Sequence, residues 1–542
     1  MSLRPSAVRV NTNRYDLSTQ TLTSQMTYPA DPSRRIFLQN ASAAIAMTLT
    51  SASPGTAAPN GSSGGLPGLS ASEAVSRITH GEMTAESYAT ALLQRCASLR
   101  ELNAFITLEP SRVLEAARAC DRHRSSGGKL GPLFGLPIPV KDSVNTLDYP
   151  TTAGTRALRH FQPSADAPIV KSLRASGAIV LGKTNLHELS YGWTSNNLEF
   201  GAVHNPYDPK RIPGGSSGGT AVAIAAHMAP LGVAEDTEGS IRVPAAMCGI
   251  CGFRPSTGRY STKGCVPISP LFDQVGPHAR TVADLALFDS VATRDWRPLQ
   301  STPLRGLRIG VVADYWFTGL DEQVESLTSQ ALQRLRQAGV QLVDSELPGL
   351  QRLIALTTDA VQNHDVRLSL SRYLEEYGAQ LTFEQVVRQA SPDIQSLFRS
   401  DVLPGGSNFV SEDTYAAARD IYLPALRRLY RNYFARTGVA AIIFPATLAP
   451  APLIGEDVTV DIRGRKIPFF TVAGRNIAPG STAGLPGLVL PAGLTTTHLP
   501  VGIELDGPSG SDRRLLSIGL SVEAALGHIY GPACGGVPKP AQ

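Results

Sequence analysis

The run Arg211-Ile212-Pro213-Gly214-Gly215-Ser216-Ser217-Gly218-Gly219 constrains this chain more than any other stretch. Four glycines bracket two adjacent serines. Each glycine loses much backbone entropy on ordering, so the run predicts neither a stable helix nor a stable strand. It suits a tight loop in which backbone passes close to another group. Thr220-Ala221-Val222-Ala223-Ile224-Ala225-Ala226-His227-Met228-Ala229 follows at once. Apolar nearly all round and built of small residues, it predicts a buried, closely packed helix. A second serine, Ser240, lies in Asp236-Thr237-Glu238-Gly239-Ser240-Ile241-Arg242. A short apolar strand, Leu231-Gly232-Val233-Ala234, runs directly into that segment. A serine-bearing glycine loop feeding a buried helix is a place for chemistry; the competing reading is a polar linker.

Three motif matches point elsewhere and fail on context. Gly214-Gly215-Ser216-Ser217-Gly218 fits G-x-S-x-G, but a nucleophile elbow needs a strand immediately before it. Here Asn205 to Pro213 carries three prolines in nine residues, which no central strand accepts. Gly177-Ala178-Ile179-Val180-Leu181-Gly182-Lys183-Thr184 matches the P-loop pattern. Its variable positions are those of a buried strand, not of a loop that cradles phosphates. Cys248-Gly249-Ile250-Cys251 has no second pair at zinc spacing and reads as two small buried residues.

Helical and strand patterns alternate along the rest, which argues an α/β fold. Residues 59–68 are rich in Pro, Gly and Ser and read as a flexible linker. From Ser70 to about Asp121 the pattern is helical, with starts at Ala71-Ser72-Glu73 and Thr84-Ala85-Glu86. Leu133 to Val140 is apolar and punctuated by proline, and it ends at Lys141. Ile169 to Ser176 reads as helix and Ala178 to Leu181 as buried strand. Asp321 to about Ala338 is helical with Gly339 as a stop, Val340 to Val343 is a strand, and Leu350 to about Thr437 is mainly helical. Ala440 to Pro445, Leu488 to Leu490 and Val501 to Leu505 read as strands, and Leu515 to Leu526 as a closing helix; residues 531–542 form a C-terminal tail.

The net charge of +4 on 542 residues implies no nucleic-acid partner, and much of the basic excess sits at the start. Residues 1–58 hold five arginines and two aspartates. Ser33-Arg34-Arg35-Ile36-Phe37-Leu38 opens a weakly apolar run, no charged residue occurs between Arg35 and Glu73, and Thr56-Ala57-Ala58 precedes Pro59. This reads as a twin-arginine export signal over residues 1–58, cleaved to leave a periplasmic or secreted enzyme. The run is too short and too polar for a stable transmembrane span, so no integral membrane segment is expected after signal removal. Six cysteines in so long a chain are no disulfide scaffold, and none is expected to be essential as a bridge.

Taken together, several stretches resemble the amidase signature family. Gly214-Gly215-Ser216-Ser217-Gly218-Gly219 is similar to its core, Asp236 to Ala246 to its nucleophile segment, and Pro139-Val140-Lys141-Asp142 to the segment of its catalytic lysine. Thr151 to Thr155, Gly182 to Asn185, Phe200 to Pro206, Gly252 to Ser256 and Gly484 to Gly493 continue the likeness in the family's order. Cys248 to Tyr260 and Val266 to Pro270 most resemble the aryl-acetamide enzymes, such as hydrolases of indoleacetamide and mandelamide. The resemblance implies one domain over residues 69–530, with a large mixed β-sheet flanked by helices on both faces. It implies that the variable region, about 300–435, lines the substrate pocket.

The resemblance further implies a Ser-Ser-Lys triad, with Ser240 as nucleophile, Ser216 as bridge after a non-proline cis peptide, and Lys141 as base. The chemistry has its own logic. A serine hydroxyl needs an adjacent base, and no histidine lies in either serine segment. A lysine serves only when desolvation makes it neutral, and Lys141 emerges from an apolar stretch. The competing reading for Lys141 is an exposed lysine paired with Asp142, and for Ser240 a helix N-cap. By resemblance the N–H groups of Thr237, Glu238, Gly239 and Ser240 would hold the oxyanion, with Ser217 also contacting substrate.

One position departs from the family: Asp-Thr-Gly-Gly-Ser has become Asp-Thr-Glu-Gly-Ser. A Cβ at Glu238 is strained if φ must be positive, and its carboxylate could oppose the developing negative charge. The expectation is that the side chain points away or meets a polar group of the substrate. Asp236 and Arg242 are expected to pair and hold the loop. The reading is then an amidase that passes through an acyl-serine, acts on a small amide and implies no metal or organic cofactor. A homodimer is left open. The rivals are an esterase using Ser216 or Ser217 with a distant His and Asp, an exported but catalytically impaired binding protein, and a tRNA-amidotransferase subunit, which export disfavours.

Overall fold

The structure is a computed structural model and describes residues 65–527 and 531–532. The export signal, the first part of the linker, Cys534 and nearly all of the C-terminal tail lie outside the described residues. Eleven strands form one mixed sheet. In chain order they are β1 (Phe105–Thr107), β2 (Pro137–Lys141), β3 (Ile179–Thr184), β4 (Leu231–Asp236), β5 (Cys251–Arg254), β6 (Gln274–Ala279), β7 (Arg308–Val311), β8 (Gln341–Asp344), β9 (Ala441–Pro445), β10 (Gly487–Leu494) and β11 (Pro500–Asp506). Across the sheet they run β1-β3-β2-β4-β6-β5-β10-β11-β9-β7-β8. β2 is parallel to both β3 and β4, β7 is parallel to β8 and β9, and the strands between are antiparallel.

Every residue of β2, β3, β4, β6 and β11 is buried. Successive side chains on a strand point to opposite faces, so burial of all of them means cover on both sides. The helices that supply it can be named: α1 (Ala71–Thr79), α2 (Ala85–Ser98), α3 (Pro110–Ser125), α4 (Pro168–Ala175), α5 (Gly218–Ala225), α6 (Arg242–Cys248), α7 (Val282–Thr293), α8 (Glu322–Gln337), α9 (Leu350–Glu376), α10 (Leu423–Thr437) and α11 (Asp512–Leu526). On β10, Val489 shares a face with Gly502 of β11, which lies against Ala246 of α6. Its neighbour Leu488 points the other way, onto Gly519 of α11. The expected α/β class, with helices on both faces of a large mixed sheet, is what the chain forms.

Local sequence sets the helix starts. Ser70 caps α1 in a reciprocal capping box with Glu73, Thr84 caps α2 through Ser87 N–H, and the Asp321 carboxylate caps α8. The long α9 packs Val366, Leu370, Tyr373 and Leu374 against Leu158, Val266 and Ile268, so the region of thinnest family likeness closes over the half of the sheet that carries the serine segments.

One local expectation needs correction, and one strand was not anticipated. Helix α5 begins at Gly218, inside the glycine run, because its backbone is pressed against neighbours: a Cβ on Gly219 would sit 2.4 Å from Asn185 O and 2.5 Å from Ala104 O. Strand β6 contains Pro277, although a proline cannot donate to a ladder. It is tolerated because Pro277 pairs only with Val233 of β4; the pairing with β5 is confined to His278 and Ala279.

Among the described residues no helix is long and apolar enough to cross a membrane.

Candidate active site

Three chain segments meet at the C-terminal ends of β2 and β4. Lys141 is the last residue of β2. The register of β2 against β3 slips between Ile138 and Pro139, and this irregularity two residues upstream re-aims the strand end. Ser216 lies in the loop before α5, after the cis Gly215–Ser216 peptide. The turn into it is made by Gly214, whose φ of 80° and contact with Pro244 of α6 leave no room for a side chain. Ser240 lies in the bend between β4 and α6.

The lysine is fully buried. Its Nζ lies 2.6 Å from Ser216 Oγ and 2.5 Å from Glu235 Oε1. Burial drives the Lys141 amine below the ordinary lysine range, and the Glu235 carboxylate works against that. The Asp142 pairing considered from sequence does not occur, because Asp142 is bonded to Lys183 at 2.8 Å. The two serine segments are tied together by the Ser217 N–H, which donates to Ser240 O at 3.2 Å, and by Ser217 Oγ, which donates to Glu235 O at 3.0 Å. Ser217 therefore braces the loop through backbone acceptors.

Ser240 does not cap α6; Ile241 occupies that position, and its N–H goes to Asp236 Oδ2 at 3.1 Å. The expected Asp236–Arg242 pair is present at 3.0 Å and wholly buried. Burial alone would raise the Asp236 carboxyl, but Arg242 and Arg254 outweigh it and hold it below the usual carboxylate range. Arg242 also reaches Ser481, Glu504 and Ile477 O, and Arg254 Nη1 donates to Asp236 O at 2.7 Å. The bend is thus clamped from below by two arginines. Among the described residues the N–H groups of Thr237, Glu238, Gly239 and Ser240 donate to no backbone carbonyl, which leaves a cluster of donors open at the bend. Such donors suit an oxyanion.

Glu238 has no positive φ, so its Cβ brings no left-handed strain. Its side chain is buried, 6 % exposed, and its Oε1 has no hydrogen-bond partner among the described residues. Burial, reinforced by Asp359 and Asp236, pushes its carboxyl well above the ordinary range, which favours the uncharged form. The upward shift acts against the charge conflict inferred from sequence.

The site's own acid escaped the sequence reading. Glu235 stands at the polar end of an apolar strand and looks like a strand terminus. Its contact with Lys141 is set by the parallel pairing of β2 and β4, in which Val140 faces Val233. The histidines near the site are engaged elsewhere: the His187 ring bonds Thr194 Oγ1 at 3.1 Å and the His278 ring bonds Ile241 O at 2.7 Å. Burial lowers both rings to about 4. Cys248 donates to Pro213 O and Cys251 approaches Arg280 O and Glu523, so this pair forms no common site.

Comparison with known proteins agrees with this arrangement. The family model described as Amidase matches residues 88–516. An indoleacetamide hydrolase of Agrobacterium vitis is 36% identical, over 85% of this chain and 98% of the relative. A mandelamide hydrolase of Pseudomonas putida is 37% identical, over 86% of this chain and 94% of the relative. The native peptide amidase of Stenotrophomonas maltophilia superposes with a TM-score of 0.69 at 29% identity, over 85% of this chain and 98% of that one. With more than half its length matched, the chain belongs to the amidase family and is an amidohydrolase.

Proposed function

We propose that this amidohydrolase cleaves a small aryl-acetamide to the acid and ammonia through an acyl-serine on Ser240. The observation that carries the mechanism is the 2.6 Å contact between Lys141 Nζ and Ser216 Oγ, both on fully buried residues. Ser240 Oγ attacks the amide carbonyl carbon. Its proton passes to Ser216 Oγ as the Ser216 proton passes to Lys141 Nζ. The carbonyl oxygen becomes an oxyanion against the open N–H groups of residues 237–240. The proton then returns through Ser216 to the amide nitrogen, the C–N bond breaks and ammonia leaves. Water repeats the route in reverse to release the acid.

An aromatic pair supports the aryl preference. The Trp193 and Phe470 rings lie 5.2 Å apart. The backbone of Trp193 abuts Gly215, and its ring rests on Gly474, three residues before the Ile477 that packs on Gly239. The names of the similar hydrolases favour the same substrate class. Export through the twin-arginine route, proposed from the N-terminal sequence, would put this activity in the periplasm or outside the cell. Ammonia release from indole-3-acetamide and mandelamide, measured against anilides and alkyl esters on purified protein, tests the reading. Primary aryl-acetamides should be the fastest. Turnover confined to esters, or none at all, would overturn it.

A further inference from the structure

Glu235 is the group that the two-serine scheme leaves without a task, yet it touches the lysine more closely than either serine does. Its Oε1 lies 2.5 Å from Lys141 Nζ, and the two side chains are 5% and 0% exposed. The same oxygen accepts from Ser143 Oγ at 3.4 Å, and the Glu235 carbonyl accepts from Ser217 Oγ at 3.0 Å. One residue thus joins the lysine strand, the turn after it and the serine loop.

A neutral amine has two N–H donors and one lone pair. A carboxylate can only accept, so Glu235 takes an N–H and turns the lone pair away from itself. The other hydrogen-bond partner of Nζ among the described residues is Ser216 Oγ, whose O–H needs that lone pair. When the proton arrives, Nζ becomes an ammonium beside a carboxylate, and the bond between them becomes charge-assisted. We propose that Glu235 is a positioning residue of the proton relay, holding the Lys141 lone pair toward Ser216 Oγ and setting the pH below which the amine is blocked. This rests on Lys141 being the base.

The sign of the pH effect follows from what surrounds Nζ. From β4 come Glu235 and Asp236, and Asp236 is already committed to Arg242 and Arg254. From the turn before Val266 comes Cys265, whose thiol burial pushes up and keeps uncharged. Before β6 stands Asp273, which burial and Glu235 raise to about 7. His187 and His278 are neutral. Glu235 is the carboxylate in direct contact, and it opposes the burial that lowers the lysine. Removing its charge lets burial act unopposed, so the lysine loses its proton at lower pH.

The test needs no substrate. The rate at which a fluorophosphonate modifies Ser240 is followed against pH in the wild-type protein, Glu235→Gln, Glu235→Asp and Lys141→Ala, with thermal unfolding of each. In Glu235→Gln the acid limb should move down by about one pH unit or more and the plateau rate should fall about tenfold or more. Glu235→Asp keeps the charge and should restore most of the limb position. An unmoved limb in a folded Glu235→Gln overturns the proposal. If Glu235→Gln does not fold, Glu235→Asp decides: its charge, drawn back by one methylene, should shift the limb downward by less. A limb identical to wild type, with only the unfolding temperature lowered, overturns it. Failure of the base assignment looks different: Lys141→Ala would then label Ser240 at the wild-type rate.

Discussion

Two lysines lie on adjacent parallel strands, both fully buried and both facing a carboxylate, and under the proposed mechanism only one of them serves as a base. Lys183 on β3 is ion-paired with Asp142 at 2.8 Å and donates to Pro150 O at 2.9 Å and Thr151 Oγ1 at 2.9 Å. Three acceptors match the three N–H groups of an ammonium, so that charge is compensated and no lone pair has a use. Lys141 on β2 has two partners, and one of them, Ser216, is a hydroxyl that can give as well as take a proton. Burial lowers both amines and a carboxylate opposes it in both. The difference in function therefore lies in the count and kind of acceptors around each nitrogen, not in depth of burial.

Exchanging each lysine for methionine breaks this comparison most directly. Lys141→Met should lower turnover by about 10²–10⁴-fold, the usual worth of a positioned base, and, because it leaves Glu235 unpaired in the core, should also lower stability. Lys183→Met leaves Asp142 charged and unpaired in the core and should cost about 3–5 kcal/mol of stability. Adding Asp142→Asn to Lys183→Met should recover most of that loss, since Asn can still accept the Thr152 N–H that Asp142 accepts at 3.1 Å. Chemical denaturation alongside steady-state turnover separates the two lysines. Equal losses of turnover at equal stability would erase the distinction.

Much of the frame could be read in the amino-acid order. Apolar runs marked β3, β4, β9, β10 and β11; Ser70, Thr84 and Asp321 announced their helices; the glycine loop and the Ser240 bend marked the site. What stayed hidden depends on register between distant strands. The Lys141–Glu235 and Lys183–Asp142 pairs exchange the partners that adjacency would suggest, because side chains at 141 and 142 leave a strand end in different directions. β6 was missed because Gly276-Pro277-His278 breaks the strand pattern, and the proline is accepted only where the ladder with β5 has broken off. The upward shift of the buried Glu238 carboxyl depends in part on Asp359 of α9, whose packing no local motif encodes.

A smaller effect sharpens the comparison by pH. The site side carries an acid that the Lys183 side lacks: Asp273, raised to about 7 by burial and by Glu235, accepts from Thr237 Oγ1 at 2.7 Å and from Ile268 N–H at 2.9 Å. The folded protein holds that proton more tightly than the unfolded chain does. Its contribution to stability is therefore full below about pH 4 and is lost as pH rises through about 7. Asp273→Asn should flatten unfolding temperature against pH over that window. A slope identical to wild type would remove Asp273 from the account.

The most direct test of the central claim is to locate the fluorophosphonate adduct by peptide mass spectrometry in the wild-type, Ser216→Ala and Lys141→Met proteins. The account predicts the adduct on Ser240 in the wild type, and a large loss of labelling rate in both folded variants. An adduct on Ser216 or Ser217, or labelling of Ser240 that is indifferent to residue 141, would contradict it.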